Sequence, residues 1–571
     1  MGLPFLTKPV LFYSVRETHD PNMEFPDYNS WLKKQPFLNW YTADWDYGYA
    51  TLYFFCGGIA FFMLANILGR FKLQGRSTIR TPVALYRYLS ARQYYVARFD
   101  WYSPPLGQLL IVVAMIIFAV VLSFAKTTYY WPAPGMGHSP PLGTRTGWIS
   151  IAIMPFIFAF ATKVNWVGYL TGVHPEQLQV FHRWTAWIMW GTSLIHTFPF
   201  IVYNIKQGLM VEYYRTKVYY WTGVAALIPQ TWLVIMSIGP IRNRYYETFK
   251  KLHYLVSFMF MFFLFIHCNY RLTSWHYFWA TLTIWFSAWS ARYIRAFFYN
   301  GLHHTATFTP QADNLTQISV PTRLRWKAGQ HFSVRFVGMG AHAWTAHPFT
   351  AASIPDEAGK DSIVEFYSRG LGGITGRMVS FAAEGSATCR VVLDGPYGGY
   401  LVPMSDSDTV LLLAGGSGAS FITPTLLDLA QRYESNASRP RKIHLIWAVR
   451  RQECISWFEF ALARASKLLP PDVLQISIFI TGNDTSDNVH DHDEKGSMDW
   501  GLEHMMGRPN LATFVERCAS VESSSLGIAT CGPSSFNLDV RNAVAQVQLD
   551  IASGKNKSCG LVHLHTEAFS W

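Results

Sequence analysis

The sequence predicts a multi-domain protein: an α-helical transmembrane bundle of about seven spans, then a small β-barrel domain, then a Rossmann-like α/β domain. Three observations carry this reading. Half of the 571 residues are hydrophobic and 16% are aromatic, against only 15% charged, which is too apolar for an ordinary soluble enzyme. Apolar runs of near-spanning length crowd the stretch between residues 49 and 300. Beyond it the texture changes to short alternating segments, and then to apolar strands punctuated by glycine-rich turns. The expected division is 1–48 as an external N-terminal segment, 49–300 as the membrane domain, 301–405 as the barrel and 406–571 as the α/β domain.

The apolar runs lie at Tyr49–Gly69, Leu106–Ala125, Trp148–Thr162, Val180–Tyr203, Tyr219–Gly239, Leu252–Cys268 and Tyr277–Phe298. The residues before the first run lack the basic and apolar regions of a cleavable signal peptide, so the first span is expected to direct insertion. The net charge of +11 is read as membrane topology, not as nucleic-acid binding. Arg70, Lys72, Arg76, Arg80, Arg87, Arg92 and Arg98 crowd the first connection, which places it in the cytosol and the N-terminus outside. Seven crossings then leave everything after ~300 cytosolic. The cysteines Cys56, Cys268, Cys389, Cys454, Cys518, Cys531 and Cys559 are scattered, which implies neither a zinc site nor a disulfide framework.

Two of the apolar runs carry paired histidines: His182 and His196 on one, His253 and His267 on another, each pair 14 residues apart. Fourteen residues are four helical turns less ~40°, so both members of a pair share a face and lie about 21 Å apart along the axis. The two helices cross in the same direction, which sets His182 level with His253 and His196 level with His267. A lone intramembrane histidine is commonly a polar residue bonded to a neighbouring helix. Repetition argues otherwise: with 19 histidines in 571 residues, a set offset is met by chance roughly 1 time in 30, and on both helices about 1 time in 1,000. Facing imidazoles at two depths are what two six-coordinate haems stacked across a bilayer require, an inner one on His182 and His253 and an outer one on His196 and His267. With both axial positions filled, such haems pass electrons and bind no substrate on iron.

In the barrel segment, His347-Pro348-Phe349-Thr350 offers a ring for a flat heterocycle and a hydroxyl for its edge. Gly370-Leu371-Gly372-Gly373-Ile374-Thr375 follows, with Gly373 permitting close backbone approach to a phosphate and Thr375 able to donate to it. Together they support a flavin site. In the α/β segment the apolar strand Val410–Ala414 runs into Gly415-Gly416-Ser417-Gly418, a turn leading to a helix N-terminus that suits a nucleotide phosphate. The next strand ends in Arg450-Arg451, where an NAD enzyme tends to place an acid; arginine there favours a 2′-phosphate, hence NADPH, and the alternative is a solvated basic strand end. The polar stretch Gly482–Gly501 reads as a surface loop, its histidines solvated rather than metal-binding.

With these pieces in view, and with Thr530-Cys531-Gly532-Pro533 near the C-terminus, the chain resembles the fungal ferric and cupric reductase transmembrane components, of the FAD-linked, two-haem superfamily that includes the NADPH oxidases. The resemblance covers nearly the whole chain after residue ~50. It implies a ferredoxin-NADP reductase-like pairing of the two cytosolic domains, and electron flow from NADPH through FAD and two b-type haems to an external ferric or cupric chelate. It implies that Cys531, Gly532 and Pro533 border the nicotinamide pocket and that Phe569 or Trp571 covers the flavin. It also implies a multi-pass plasma-membrane protein, with the vacuolar membrane as the alternative, and coupling to an iron oxidase/permease. The rivals are an NADPH oxidase that makes superoxide and, from another class, a haem-binding membrane sensor or transporter with a regulatory nucleotide domain.

Overall fold

A computed structural model of the chain describes residues 40–70, 77–125, 141–269, 272–340, 343, 345–355, 362–385, 387–435, 440–482, 503–520, 524–556 and 558–567. Phe569, Trp571 and the histidines of the 482–501 loop lie outside the described residues. Along the chain, α1 (Trp40–Arg70) is followed by α2 (Ser77–Ala91) and a hairpin of β1 (Tyr95–Val96) and β2 (Trp101–Tyr102). Then come α3 (Leu106–Phe124), α4 (Pro141–Ala161), α5 (Trp166–Thr171), α6 (Pro175–Lys206), α7 (Met210–Thr216), α8 (Val218–Met236), α9 (Gly239–Arg244), α10 (Tyr246–Cys268) and α11 (Ser274–Ile294). The chain divides into two compact units, residues 1–71 with 109–291, and residues 72–108 with 292–571.

In the first unit a long helix covers each apolar run: α1, α3, α4, α6, α8, α10 and α11. By length and composition four segments are able to cross a membrane: Asp46–Gly69, Leu106–Phe124, Leu142–Ala161 and Tyr246–Cys268. The seven-span count therefore rests on the three more polar helices as well. The most enclosed of these four segments is also the least apolar. The spanning window of α4 is 67% buried and has a mean hydropathy of 1.3, whereas that of α3 is 22% buried and reaches 2.7. A helix walled in by other helices has less need of apolar side chains than one facing lipid. Ile149, Ile153 and Met154 of α4 are fully enclosed, packed with Met189 of α6 and Phe260 of α10. Arg145, also fully buried, donates through Nη1 to Ala125 O (2.7 Å) and Ser123 O (3.3 Å), capping the negative end of α3.

The second unit holds two six-stranded sheets. The first comprises β3 (His304–Gln311), β4 (Leu315–Thr322), β5 (Gln330–Phe336), β6 (His347–Thr350), β7 (Ser362–Arg369) and, after α12 (Gly373–Ala383), β8 (Thr388–Gly398). Its ladders are antiparallel in the order β6-β5-β8-β3-β4-β7. No ladder among the described residues joins β6 to β7, so the expected barrel is seen as a six-stranded sheet whose end strands are unpaired with each other. Its core is aromatic, with Phe308, Phe332, Phe336 and Phe366 fully buried. A buried carboxylate, Asp394, ties the last turn of α11 and the segment after it to β8: Arg292 Nε donates to Oδ2 (2.5 Å), Arg295 Nη2 to Oδ1 (3.2 Å), and Tyr397 OH to Oδ1 (2.6 Å). A buried charge is tolerable only with such partners.

The second sheet is parallel. It is formed by β9 (Thr409–Gly415), then α13 (Ala419–Glu434), β10 (Lys442–Val449), α14 (Glu459–Leu468), β11 (Leu474–Ile480), β12 (Glu503–Met506), α15 (Leu511–Ser520), β13 (Ser525–Cys531), α16 (Ser534–Ala552) and β14 (Leu561–Glu567). The strand order is β12-β11-β10-β9-β13-β14. Both faces are covered, which explains the unbroken apolar run of β9. Val410, Leu412 and Ala414 point to the α13 and α14 side, Leu411 and Leu413 to the α15 and α16 side.

That second layer contains a helix from far away in the sequence. Ala84 and Ala91 of α2 are buried with Val540, Val544 and Ile551 of α16. Arg80 Nη2 donates to Asn556 O (3.1 Å) and Cys559 O (3.0 Å), and Asn542 Oδ1 accepts from Gln93 N (3.1 Å). The sequence reading groups residues 72–108 with the membrane domain; in the structure they pack into the nucleotide-type sheet domain.

Arg87 of α2 also reaches His563 of β14, Nη2 to Nδ1 3.5 Å. Burial first, and the Arg87 charge second, push the His563 pKa down to about 3. Because the unfolded chain binds this proton near pH 6.5 and the folded chain does not, stability rises with pH between about 3 and 6.5, by up to ~1.4 kcal/mol per unit. His563→Gln is expected to flatten this limb, measured as the pH dependence of the thermal unfolding midpoint of the purified protein; an unchanged slope would count against it.

Candidate functional site

In the first unit the four histidines meet as two pairs. The His182 and His253 ring centroids are 6.4 Å apart at 66°, and those of His196 and His267 are 6.0 Å apart at 80°. Two metal–nitrogen bonds of about 2.0 Å plus two ring radii of about 1.2 Å would separate the centroids by about 6.4 Å, so both pairs have room for one metal ion between them. Among the described residues no group of three or more His, Cys, Asp or Glu could hold a bare ion. A histidine pair suits an iron whose other four ligands come from a macrocycle.

The tautomers agree. His182 Nδ1 donates to Ile157 O (2.9 Å), His196 Nδ1 to Gly143 O (2.7 Å) and His267 Nδ1 to Tyr219 O (2.7 Å). A carbonyl can only accept, so Nδ1 carries the hydrogen and Nε2 keeps the lone pair that ligates a metal. The backbone approaches closely to permit this. A Cβ on Gly147 would lie 2.6 Å from His196 Nδ1, and one on Gly223 2.9 Å from the His267 ring. The sequence reading named neither glycine; their signal, a small residue on a helix facing a histidine, becomes readable only when the helix neighbours are known.

In the antiparallel sheet, His347-Pro348-Phe349-Thr350 is the whole of β6, an end strand paired on one side with β5. Alternation along the strand turns Phe349 towards the core, where its ring meets Phe336 (5.9 Å, 89°) and Phe366 (6.1 Å, 52°). Pro348 is exposed and Thr350 half-buried on the opposite face. The ring expected from the sequence to stack on a heterocycle is thus packed as an anchor for the strand. Gly373 begins α12 with φ +54°, and Thr375 Oγ1 accepts from Leu371 N (3.0 Å) while donating to Gly372 O (2.9 Å). Thr375 therefore holds the turn from which the positive end of α12 projects.

In the parallel sheet, the strand order reverses between β9 and β13, the switch point at which open α/β sheets bind ligands beyond the carboxyl ends of their strands. Gly415-Gly416-Ser417-Gly418 leaves β9 there, and Cys531-Gly532-Pro533 leaves β13 beside it. The two turns touch so closely that a Cβ on Gly418 would lie 2.2 Å from Cys531 O, and one on Gly415 2.9 Å from Pro533 Cδ. Gly416 has φ +57°. Arg450 and Arg451 are exposed at the end of the adjacent β10.

Three features absent from the sequence reading hold this cleft together. Trp447 Nε1 donates to Gly416 O (3.0 Å). Asn537 Nδ2 donates to Gly532 O (3.1 Å) and Glu567 O (2.8 Å), while its Oδ1 accepts from Thr530 (3.1 Å). His565 stacks on Phe421 (5.4 Å, 11°), lies 4.6 Å from the Tyr400 ring and bonds Glu567 at 3.0 Å.

Three family models match the chain in the order of these sites: a ferric reductase like transmembrane component over residues 146–264, an FAD-binding domain over 301–400, and a ferric reductase NAD binding domain over 407–545. In these three stretches the chain is similar to ferric reductases. It is 34% identical over 402 residues to the probable cell surface ferric reductase kap2 of Aspergillus oryzae, covering 66% of this chain and 52% of that one. It is 27% identical over 400 residues to ferric/cupric reductase transmembrane component 7 of Saccharomyces cerevisiae, covering 68% and 62%. A probable ferric reductase transmembrane component of Candida albicans is 24% identical over 580 residues, covering 92% and 82%. The chain thus spans between half and two thirds of the length of the first two relatives.

Cys531 is fully buried, and burial, with the Glu567 carboxylate adding to it, raises its thiol well above the ordinary range. The thiol is therefore protonated and inert in the folded protein. Iodoacetamide is expected to leave Cys531 unmodified up to about pH 9 and to label it only after unfolding, as read by peptide mass spectrometry. Rapid labelling of the native protein would contradict this.

Proposed function

We propose that the chain is a transmembrane ferric-chelate reductase that passes electrons from cytosolic NADPH to Fe(III), or Cu(II), on the opposite side of the plasma membrane. The observation that carries the reading is the meeting of His182 with His253 and of His196 with His267, about 21 Å apart along helices α6 and α10. The topology it calls for has seven spans, an external N-terminus and cytosolic sheet domains. The vacuolar membrane is the alternative location, and delivery of ferrous iron to an oxidase/permease would be the use of the product.

When bound, FAD would accept hydride and two b-type haems would carry single electrons across the bilayer. His182 and His253 would hold the inner iron, His196 and His267 the outer one, with Nδ1 bonds to main-chain carbonyls keeping three of the rings oriented. Thr350, Pro348 and the start of α12 at Gly373 would receive the flavin and its phosphates. The closing aromatic over the flavin would be Phe569 or Trp571. Gly415, Gly416, Ser417 and Gly418 would cradle the nucleotide phosphates, Arg450 and Arg451 the 2′-phosphate, and Cys531, Gly532 and Pro533 the nicotinamide. Outward electron movement from a negative interior gains ~2.3 kcal/mol per 100 mV.

Inside-out vesicles supplied with NADPH should accumulate chelated ferrous iron in the lumen well ahead of superoxide. Dominant superoxide would move the assignment to an oxidase; haem without any NADPH-dependent reduction would move it to a sensor or transporter. The geometry adds a sharper expectation. Gly147→Ala, which puts a methyl 2.6 Å from His196 Nδ1, should lower bound haem by about half, whereas Gly57→Ala, with open space around it, should not. Haem content by absorbance decides the point, and an unaltered Gly147→Ala protein would sink the outer-pair assignment.

A further inference from the structure

We propose that α2 and the β1–β2 hairpin form a lipid-facing strap, one side built into the parallel-sheet domain and the other resting among anionic phospholipid headgroups. The inner side is the one already described: Ala84 and Ala91 seven residues apart on one face, with Arg80 and Gln93 bonded to the loop after α16 and to Asn542. The outer side is unlike a water-facing surface. Tyr86 is 58% exposed, Tyr94 43%, Phe99 74% and Trp101 44%, all within one short segment, with Trp101 on the hairpin face opposite the Tyr95–Tyr102 pair. Exposed aromatics of this density are a membrane-interface composition.

The depth of the strap follows from α3. That helix has 19 residues and no charge, so it is about 28 Å long, barely the thickness of the hydrocarbon core. All of it is needed to cross, which puts Leu106 at the hydrocarbon edge. Leu106 N donates to Arg92 O at 2.8 Å, and Ser103 N donates to Tyr94 O at 2.8 Å. The end of α2 and the hairpin are therefore held within one turn of that edge, at headgroup depth.

Charge selects the lipid. The segment from 77 to 102 contains Arg80, Arg87, Arg92, Arg98 and one acid, Asp100. Arg80 and Arg87 are engaged on the inner side, and Asp100 accepts from Tyr95 OH (2.9 Å). Arg92, lying over the Tyr94 ring at 5.2 Å, and exposed Arg98 are left beside the aromatics, which suits an anionic surface. The inference needs only that α3 spans a bilayer, and so stands or falls apart from the reductase reading.

The test uses the full chain in lipid nanodiscs, with Cys56→Ser removing the exposed native thiol and a nitroxide placed on Phe99→Cys, or on Trp101→Cys should the first variant fold poorly. Phe460→Cys, at an 82% exposed position of α14, is the water-facing reference. Collision of the label with a water-soluble nickel chelate should be several-fold lower at 99 than at 460, and collision with oxygen higher. Equal nickel access at the two positions would overturn the strap. The label should also sit deeper in discs containing phosphatidylserine than in phosphatidylcholine alone, a difference that Arg98→Gln removes. Identical depth in both lipids would overturn the choice of anionic headgroups.

Discussion

An imidazole inside a helical bundle must place two nitrogens, and the bond made by one decides what the other can do. In three of the four paired histidines, Nδ1 is committed to a main-chain carbonyl at 2.7–2.9 Å, on α4 for His182 and His196 and on α8 for His267. Each carbonyl has two lone pairs, so Gly143 O in the first turn of α4 and Tyr219 O near the start of α8 can accept an imidazole N–H in addition to a bond within the helix. The bonds orient the rings, the rings meet across α6 and α10, and small residues at Gly147 and Gly223 make the approach feasible. The central burial of α4 follows from the same arrangement, since it must reach α6 closely enough to receive two imidazoles.

The same logic of close approach recurs in the parallel sheet. Where β9 and β13 end side by side, two turns rich in glycine touch because no side chain intervenes, and Trp447 and Asn537 pin them from opposite sides. The contact buries Cys531 and leaves the strand ends of β9, β10 and β13 facing a common cleft. In the antiparallel sheet the division of labour is between faces of one strand: Phe349 anchors β6 in an aromatic core so that Pro348 and Thr350 are presented on the other side.

The first connection is the part of the chain whose role changes most between sequence and structure. Its arginines report topology in a charge count, yet Arg80 and Arg87 are structural, bonded to loop carbonyls and to a histidine of β14. A segment separated from its partner helix by more than four hundred residues has no local signal for that partnership, because pairing of Ala84 and Ala91 with α16 depends only on complementary apolar faces.

What the sequence determined by itself is periodic or local: helices at the seven apolar runs, the change to sheet domains near residue 300, the 14-residue histidine spacing, and the turns of Gly415–Gly418 and Cys531–Pro533. Spacing along a helix sets depth and face without reference to any neighbour. Tertiary structure alone decided which groups meet: the carbonyl partners of the histidines, the glycines opposite them, the inward turn of Phe349, the His565–Phe421–Tyr400 ring cluster and the docking of α2 on α16. These are contacts between elements distant in the chain, and they depend on packing distances that no periodicity encodes.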